Sequence, residues 1–376
     1  MIVGVEQLNL FFLVSTIVVA LVVRIQAGRR LRHERAAVRL AVTRNLLEEG
    51  YYWLATLLPG IMLSVLMLAL GVTLPIGVAA VLGLLALLAA LFMPGFTPLY
   101  LGLAGAIAWI IPSAVGRAVG LAGGSVGHWA PVFLLLTGCA LLVNARTAIR
   151  GHRPVSSPRV VTRGGHTWAR YRVRQLLWLP VLLPVSGHWL PALPWWTHLN
   201  FALGQAHFSL LALPLFLGFA FTHQSAQSRP ALKRTAWVEG LVGLFAVLTA
   251  GGVQWHLLPA VSALLGYADV CVVAMVLLWC IRRSQPQVTL VHPGVRVVGV
   301  VADTPAARMG LAPGDVVWQC NGVDVTDTAV LYNASQHLGT FCRLRVQDTA
   351  GEFRLVETAI YTGTPHLLGI ITFPED

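Results

Sequence analysis

Long apolar runs fill the first three quarters of this 376-residue chain and limit what it can fold into. A helix needs about 20 consecutive apolar residues to cross the hydrocarbon of a bilayer. By this rule nine candidate spans, with eight also an acceptable count, lie at residues 3–23, 52–71, 73–93, 96–115, 129–144, 175–193, 201–222, 236–253 and 257–281. Only 11% of the residues are charged, whereas soluble proteins have roughly 25%. The sequence therefore predicts a polytopic α-helical membrane domain of eight to nine spans.

Charge divides the chain into two parts. Up to Gln287 there are 21 bases and 6 acids, a net charge of +15. From Val288 onward there are 5 bases and 9 acids, a net charge of −4, and the two values give the +11 of the whole chain. We therefore expect a multi-span membrane domain over residues 1–287 and a soluble domain over residues 288–376.

Arginine collects in alternate loops of the membrane half. Seven arginines lie between residues 24 and 44, eight between 146 and 174, three bases between 229 and 234, and two arginines at 282 and 283. Short basic loops remain on the cytoplasmic side, so nine spans place the N-terminus outside and the C-terminal domain in the cytoplasm. The basic loops either lie against anionic lipid or bind an acidic partner, and the sequence leaves both open.

After Arg283 the sequence pattern changes from long apolar runs to short β-rich segments with turn residues between them. Thr304, Pro305 and Gly310 are typical of the cap, first turn and end of a short helix. Asn321-Gly322 is a strong hairpin signal, and Thr326 or Asp327 caps a second helix that reaches about Leu338. The strands are expected at residues 295–301, 316–320, 323–325, 342–347 and 352–359. This pattern predicts a small α+β domain.

The string TPAARMGLAPGDVVWQCNGVDV over residues 304–325 resembles the core of bacterial PDZ domains. Leu368-Gly369-Ile370 is similar to their carboxylate-binding loop, placed last as in circularly permuted members. The resemblance implies that an extended peptide pairs with an open strand edge. It implies a groove formed by Leu367, Leu368, Gly369, Ile370, Ile371, Thr372, Phe373 and Tyr332. For Tyr332 a role in core packing is equally open.

Motifs for catalysis are incomplete. Zinc proteases of the membrane need HExxH, and this chain offers only His33-Glu34-Arg35-Ala36-Ala37, without the second histidine. The G-x-S-x-G match at residues 123–127 has no preceding strand and is more typical of close helix packing. The five cysteines show no metal-ligand spacing. We expect no catalytic residue, no metal and no cofactor.

Two acids in apolar spans leave a transport function open. Glu239 and Asp269 lie inside or near the ends of predicted spans, where a carboxylate costs on the order of 2 to 3 kcal/mol if it is central. Both residues suit a proton or ion path, and both equally suit the water-accessible end of a span.

The whole layout resembles division-site topological determinants of the MinJ type: an anchor, a basic loop, further spans and one cytoplasmic PDZ domain. This resemblance implies a non-enzymatic adaptor in the cytoplasmic membrane of a Gram-positive bacterium, enriched at poles and septum. It implies protein partners, namely DivIVA and MinD, and contact with membrane lipids but not with nucleic acid. The alternatives are a PDZ-regulated transporter and a degenerate intramembrane protein of the site-2 protease type.

Overall fold

The described part of the membrane half contains six long helices. The computed structural model describes residues 4–38, 48–74, 76–92, 126–150, 155–198, 207–224, 228–283, 286–291, 293–301, 303–336, 341–359 and 368–374. The helices are α1 (Val5–Val38), α2 (Glu48–Ala69), α3 (Ile76–Phe92), α4 (Val126–Arg150), α5 (Ser228–Gln254) and α6 (Val261–Arg282). Buried apolar side chains from these helices form one continuous core with two long strands.

Six of the nine predicted spans coincide with these helices. Among the residues that the structure describes, four helical segments are long and apolar enough to cross a bilayer, namely Val5–Arg29, Ala130–Arg150, Pro230–Gln254 and Val261–Ile281. Two shorter apolar helical stretches lie at Leu54–Ala69 and Ala79–Leu88. The predicted span at 96–115 lies outside the described residues. Several apolar helices are thus present, but the count of eight or nine helical spans is not confirmed.

The helical prediction for residues 175–193 and 201–222 is wrong, because the described part of both runs is β-structure. Strands β1 (Val155–Arg163), β2 (His166–Pro191) and β3 (His207–His223) form one antiparallel sheet in that order. A short 3₁₀ turn follows β2 at Pro194–His198. Proline in a helix interior loses a hydrogen bond and clashes with the preceding turn, and β2 has prolines at 180, 184 and 191. A strand edge has no such conflict.

Side chains from the helices satisfy the backbone along both outer edges of the β2–β3 hairpin. On the β2 edge, Thr56 of α2 donates to the carbonyl of Trp178, and the amide of Leu182 donates to Ser64 Oγ at 2.9 Å. On the β3 edge, Asn9 of α1 donates to the carbonyl of Leu210 at 3.0 Å and accepts from the amide of Ala212 at 2.8 Å. Unpaired backbone groups are too costly in hydrocarbon, so these bonds allow a hairpin among membrane helices.

Glycine permits close packing between α4 and α5. A Cβ at Gly138 would lie 2.7 Å from the carbonyl oxygen of Gly243, and a Cβ at Gly243 would lie 2.9 Å from the carbonyl oxygen of Gly138. Close approach through small residues is a common way for membrane helices to associate. One helical turn away, the same pair of helices buries Glu239, and the amide of Asn144 donates to both carboxylate oxygens at 2.9 and 3.1 Å.

The C-terminal region is rich in short strands. Its elements are β4 (Val295–Arg296), β5 (Gly299–Val300), α7 (Pro305–Arg308), β6 (Val316–Cys320), β7 (Val323–Asp324), α8 (Thr328–Gln336), β8 (Phe341–Gln347), β9 (Phe353–Ala359) and β10 (Ile370–Ile371). The helix that begins at Pro305, the Asn321-Gly322 turn with both φ values positive, and the cap at Asp327 confirm the local predictions. The strand expected over residues 295–301 is divided into β4 and β5.

The strand-rich region is attached to the membrane half through β2. The amide of Ala169 donates to the carbonyl of Val288 at 2.8 Å, and the amide of Leu290 donates to the carbonyl of Thr167 at 2.9 Å. This short segment extends the line of β3 along the same edge of β2. The hydroxyl of Tyr171 also donates to the carbonyl of Val298 at 2.8 Å. The segment that follows α6 is therefore held against β2 by strand-type hydrogen bonds.

Candidate peptide-binding groove

Strand β10 lies at the edge of a two-stranded sheet with β5. The amides of Val298 and Val301 donate to the carbonyls of Ile371 and Gly369 at 2.7 and 2.9 Å. The first helical amide of α7, on Ala306, donates to the carbonyl of Leu368 at 3.0 Å. The segment that the sequence placed in the carboxylate-binding loop is thus held by β5 and by the start of α7.

Gly369 occupies a position that only glycine fits. Its φ is +84°, in the left-handed region, and a Cβ there would overlap the side chain of Thr304. Thr304 is itself held, since its hydroxyl donates to the carbonyl of Val301 at 2.6 Å. Glycine therefore lets the loop backbone lie directly against the cap of α7.

The second edge of β10 is available for pairing among the residues that the structure describes. Since the carbonyls of Gly369 and Ile371 point toward β5, alternation along the strand directs the backbone groups of Ile370 and Thr372 to the other side. Within the described residues, β5 is the one strand hydrogen-bonded to β10. The sheet edge expected from the sequence thus has outward-pointing groups at residues 370 and 372.

Side chains of the predicted groove divide between two environments. Ile371 and Phe373 are 1% and 4% exposed and pack with Ala169 and Tyr171 of β2 and with Val288. Leu368 and Ile370 instead pack into the core of the strand-rich region. A ligand at this edge would therefore pair with the backbone of residues 370 and 372 and would not meet the buried side chain of Ile371.

Helix α8 lies on the core side of β10. Leu331 and Ala334 of this helix belong to the same apolar cluster as Leu368 and Ile370. Tyr332 is 52% exposed, so its side chain is directed away from that cluster. Asp327 caps the helix by accepting from the amide of Val330 at 2.8 Å. Leu367 lies outside the described residues.

An ion pair fixes the turn between α7 and β6. Asp315 is 2% exposed, and it accepts from Arg354 at 2.6 Å and from the amide of Ala312 at 3.0 Å. The same arginine donates to the carbonyl of Gly310 at 3.1 Å. Only the carboxylate of this pair is buried, since the Arg354 side chain is 38% exposed, and the hydrogen bonds that Asp315 accepts hold the α7 end of the loop in place.

The other candidate sites give no assembled chemistry in the described part of the chain. Glu239 is buried against Asn144, while Asp269 is half-buried on α6. The described residues contain no group of three or more His, Cys, Asp or Glu side chains suited to a metal. The side chains of His33 and Glu34, and Ser125 of the G-x-S-x-G match, lie outside the described set.

Sequence reasoning missed the hairpin of β1 and β2 that supports Ile371 and Phe373. Its signal was present, since Gly164-Gly165 separates two segments with alternating apolar residues, a common pattern for a two-residue turn. Both glycines have positive φ, +59° and +76°. The basic character of this stretch suggested a loop and obscured the alternation.

Comparison with known proteins connects this architecture to bacterial cell division. No family model matches the chain. The chain is similar to the probable cell division topological determinant MinJ of Lacticaseibacillus paracasei, at 36% identity over 338 residues, which cover 87% of this chain and 86% of that protein. The protein of the same name from Lacticaseibacillus casei gives the same values. The cell division topological determinant MinJ of Bacillus subtilis is 25% identical over 99% of this chain and 96% of its own length.

Apolar helices, an enclosed hairpin and a strand-rich C-terminal region define the class of this molecule as a helical membrane protein with an appended β-rich unit. Within that class, 36% identity over 87% of the chain is enough to assign the protein to a family. The chain belongs to the MinJ family of cell division topological determinants.

Proposed function

We propose that this protein is a non-enzymatic membrane scaffold in bacterial division-site selection. Its residues 288–376 act as a PDZ-type domain on the cytoplasmic side, and its partners are DivIVA and MinD. Membership of the MinJ family supports the role in division-site selection. The bonds from β5 to the carbonyls of Gly369 and Ile371 support peptide binding, because alternation along the strand then directs the backbone groups of Ile370 and Thr372 away from β5.

The arginine distribution supports the proposed orientation. The ends of α1 and α4, the β1–β2 hairpin, the start of α5 and the end of α6 carry the basic residues, and the strand-rich region is attached at that end. Basic segments remain in the cytoplasm. Partners reached from that side meet a surface confined to two dimensions, which raises their effective concentration.

The proposed binding mode is addition of an extended peptide to β10. Main-chain hydrogen bonds to residues 370 and 372 supply affinity, while α8 with Tyr332 forms the opposite wall. Such pairing has little sequence preference by itself, so the expected binding is modest and reversible. This suits a protein that gathers several partners.

Substitution of Thr372 by proline should weaken peptide pairing at β10. Proline removes the amide at residue 372 that is directed to the ligand, while the bonds from β5 to residues 369 and 371 remain. We expect affinity for the C-terminal decapeptides of MinD and DivIVA to fall by about three- to tenfold, because one ladder bond contributes roughly 0.5–1.5 kcal/mol. Fluorescence anisotropy on the full chain in nanodiscs measures this change.

The matched control is Thr372→Ala, which removes the same side chain but keeps the amide. This variant should bind within about twofold of the parent, since the ligand pairs with the backbone. Equal affinity of the proline and alanine variants for both peptides would refute binding at this edge.

A further inference from the structure

We propose that the β1–β2 hairpin is a second docking surface, which binds an extended acidic segment of a partner protein. This surface, the arginine face, consists of Arg159, Arg163, Arg170 and Arg172 with Trp168 and His166. The inference rests on the cytoplasmic orientation proposed above, but it does not depend on peptide binding at β10.

The register of the hairpin places these side chains on one face. Arg159 pairs with Arg170, Val161 with Trp168, and Arg163 with His166, and the two members of a cross-strand pair project to the same side. The opposite face contains Val160, Ala169 and Tyr171, which pack with Val288, Val298, Ile371 and Phe373. One face of the hairpin thus supports the strand-rich region, and the other points away from it.

Positive charge on the arginine face has no counter-charge within the described structure. Arg159 and Arg170 are direct cross-strand neighbours, and like charges in that position are destabilising. The sequence contains no Asp or Glu between Glu49 and Glu239. The ion pairs found among the described residues, Arg343–Glu357 and Arg354–Asp315, both lie in the strand-rich region. An anionic ligand would relieve this repulsion.

The arginines remain accessible and are partly ordered. Arg159, Arg163 and Arg172 are exposed, and Arg170 is half-buried. The guanidinium of Arg170 lies 5.9 Å from the centre of the Trp168 ring, a distance at which a cation is attracted to an aromatic face. The ring thus restricts one arginine before any ligand binds, which lowers the ordering cost of binding.

Distance from the bilayer favours a soluble partner over lipid. The part of β2 that belongs to the large apolar core of the helices begins at Leu176. At about 3.3 Å per residue, His166 at the tip lies roughly 33 Å beyond it, and Arg170 roughly 20 Å. The apolar segment of α1 ends at Arg29, and the helix continues to Val38 and contacts β1. Helix α1 therefore packs beside the hairpin where the hairpin extends beyond the apolar core. Charges beyond about 8 Å are largely screened in physiological salt.

The spacing of the arginines indicates the shape of the ligand. Arg170 and Arg172 are two residues apart on one strand, a repeat of about 6.7 Å. An extended peptide with a carboxylate at every second residue has the same repeat. Guanidinium groups bind carboxylates through paired hydrogen bonds. The arginine face therefore fits an extended acidic segment with alternate Asp or Glu residues.

The test measures binding of a fluorescein-labelled (Glu-Thr)₆ peptide to the full chain in phosphatidylcholine nanodiscs, with (Gln-Thr)₆ as the neutral probe. The triple variant Arg159→Gln, Arg163→Gln and Arg172→Gln should weaken binding about tenfold, as three exposed charge pairs would. The control triple variant Arg308→Gln, Arg343→Gln and Arg345→Gln removes the same charge from exposed sites in the strand-rich region. It should change affinity less than about twofold.

Three outcomes overturn the proposal. Equal losses in the two triple variants would mean that net charge alone attracts the peptide. Slower hydrogen exchange of residues 159–172 in phosphatidylglycerol nanodiscs, without peptide, would assign the face to lipid. Tighter binding of a 20-nucleotide single strand than of (Glu-Thr)₆ would assign it to nucleic acid. Thr372→Pro should leave (Glu-Thr)₆ binding unchanged, so failure at β10 and failure here are distinguishable.

Discussion

Gly60 lies where α2 passes closest to β2. A Cβ at this position would overlap the carbonyl oxygen of Pro180, so the helix and the strand can approach each other only without a side chain. One turn further along α2, Ser64 uses this proximity to accept from the amide of Leu182. The absence of a side chain at Gly60 therefore permits the hydrogen bond between Leu182 and Ser64 one turn later.

Substitution of Gly60 by alanine should destabilise the protein by about 1–3 kcal/mol, the usual cost of an overpacked site. Gly28→Ala on α1 is the matched control, because no atom lies within 4 Å of its added Cβ. Alanine is the better helix former by roughly 1 kcal/mol, so the control should be neutral or stabilising. Thermal unfolding in detergent compares the two, and equal melting temperatures would contradict the proposed close contact.

At the scale of elements, Asn9 acts as a short substitute for a missing strand next to β3. Its amide group donates to residue 210 and accepts from residue 212, the pattern that a neighbouring strand would supply. Strand β3 needs this because its outer edge faces helices, which offer no backbone groups. The hairpin is thus paired on its inner side by backbone and on its outer sides by helix side chains.

Asn9→Leu should remove both bonds and leave two backbone groups without partners. An unpaired backbone group is costly in hydrocarbon even where no protein atom covers it, so we expect a loss of roughly 2–4 kcal/mol. Ser15→Ala on the same helix is the control, because the hydroxyl of Ser15, a half-buried residue, donates to the carbonyl of Phe11 within its own helix. It should cost less than about 0.5 kcal/mol. Unfolding in detergent measures both variants, and similar stability of the two would rule out a capping role for Asn9.

Apolar length located ordered apolar segments within residues 175–193 and 201–222 but predicted the wrong type of element. Leu177, Leu179 and Leu183 are fully buried, yet in strands. The prolines at 180, 184 and 214 were the local signal for strands, since a helix tolerates them poorly. The stabilising partners, such as Asn9 and Ser64, lie more than a hundred residues away, and their contacts cannot be recognised in a single sequence.

The short elements of the strand-rich region were more predictable because their signals are local. Pro305, the Asn321-Gly322 turn and the Asp327 cap each act within four residues. For the candidate groove, the sequence identified the segment around Gly369 but not the burial of Ile371 and Phe373. That burial depends on Ala169 and Tyr171, which belong to a hairpin two hundred residues earlier in the chain.

At the scale of the whole molecule, the strand-rich region and the membrane half behave as one connected body at β2. The pairing of residues 167–169 with 288–290 and the bond from Tyr171 to Val298 both cross between them. The buried side chains of Ile371 and Phe373 add apolar contact at the same place. The back of β10 therefore rests on the hairpin that forms the arginine face.

Tyr171→Phe should loosen this connection without removing the ring from its apolar surroundings. The lost bond leaves the buried carbonyl of Val298 unpaired, at a cost of about 1 kcal/mol or more. Amide exchange of residues 288–290 should then accelerate about fivefold or more, as expected for local opening. Tyr332→Phe, at a tyrosine 52% exposed, should leave that exchange unchanged. If exchange is equally fast in both variants, the hydroxyl of Tyr171 does not stabilise the connection.

Prolines in the hairpin have a consequence for how copies of this protein coexist in a membrane. Pro180 and Pro214 face each other across β2 and β3, at a pair whose backbone points outward on both strands, and Pro184 lies on the same outer edge of β2. Without amide hydrogens Pro180 and Pro214 cannot donate to an additional strand, and the carbonyl of Pro184 already accepts from the amide of Leu74. Copies of this protein that lie side by side in a membrane should therefore be less prone to pair their hairpins edge to edge.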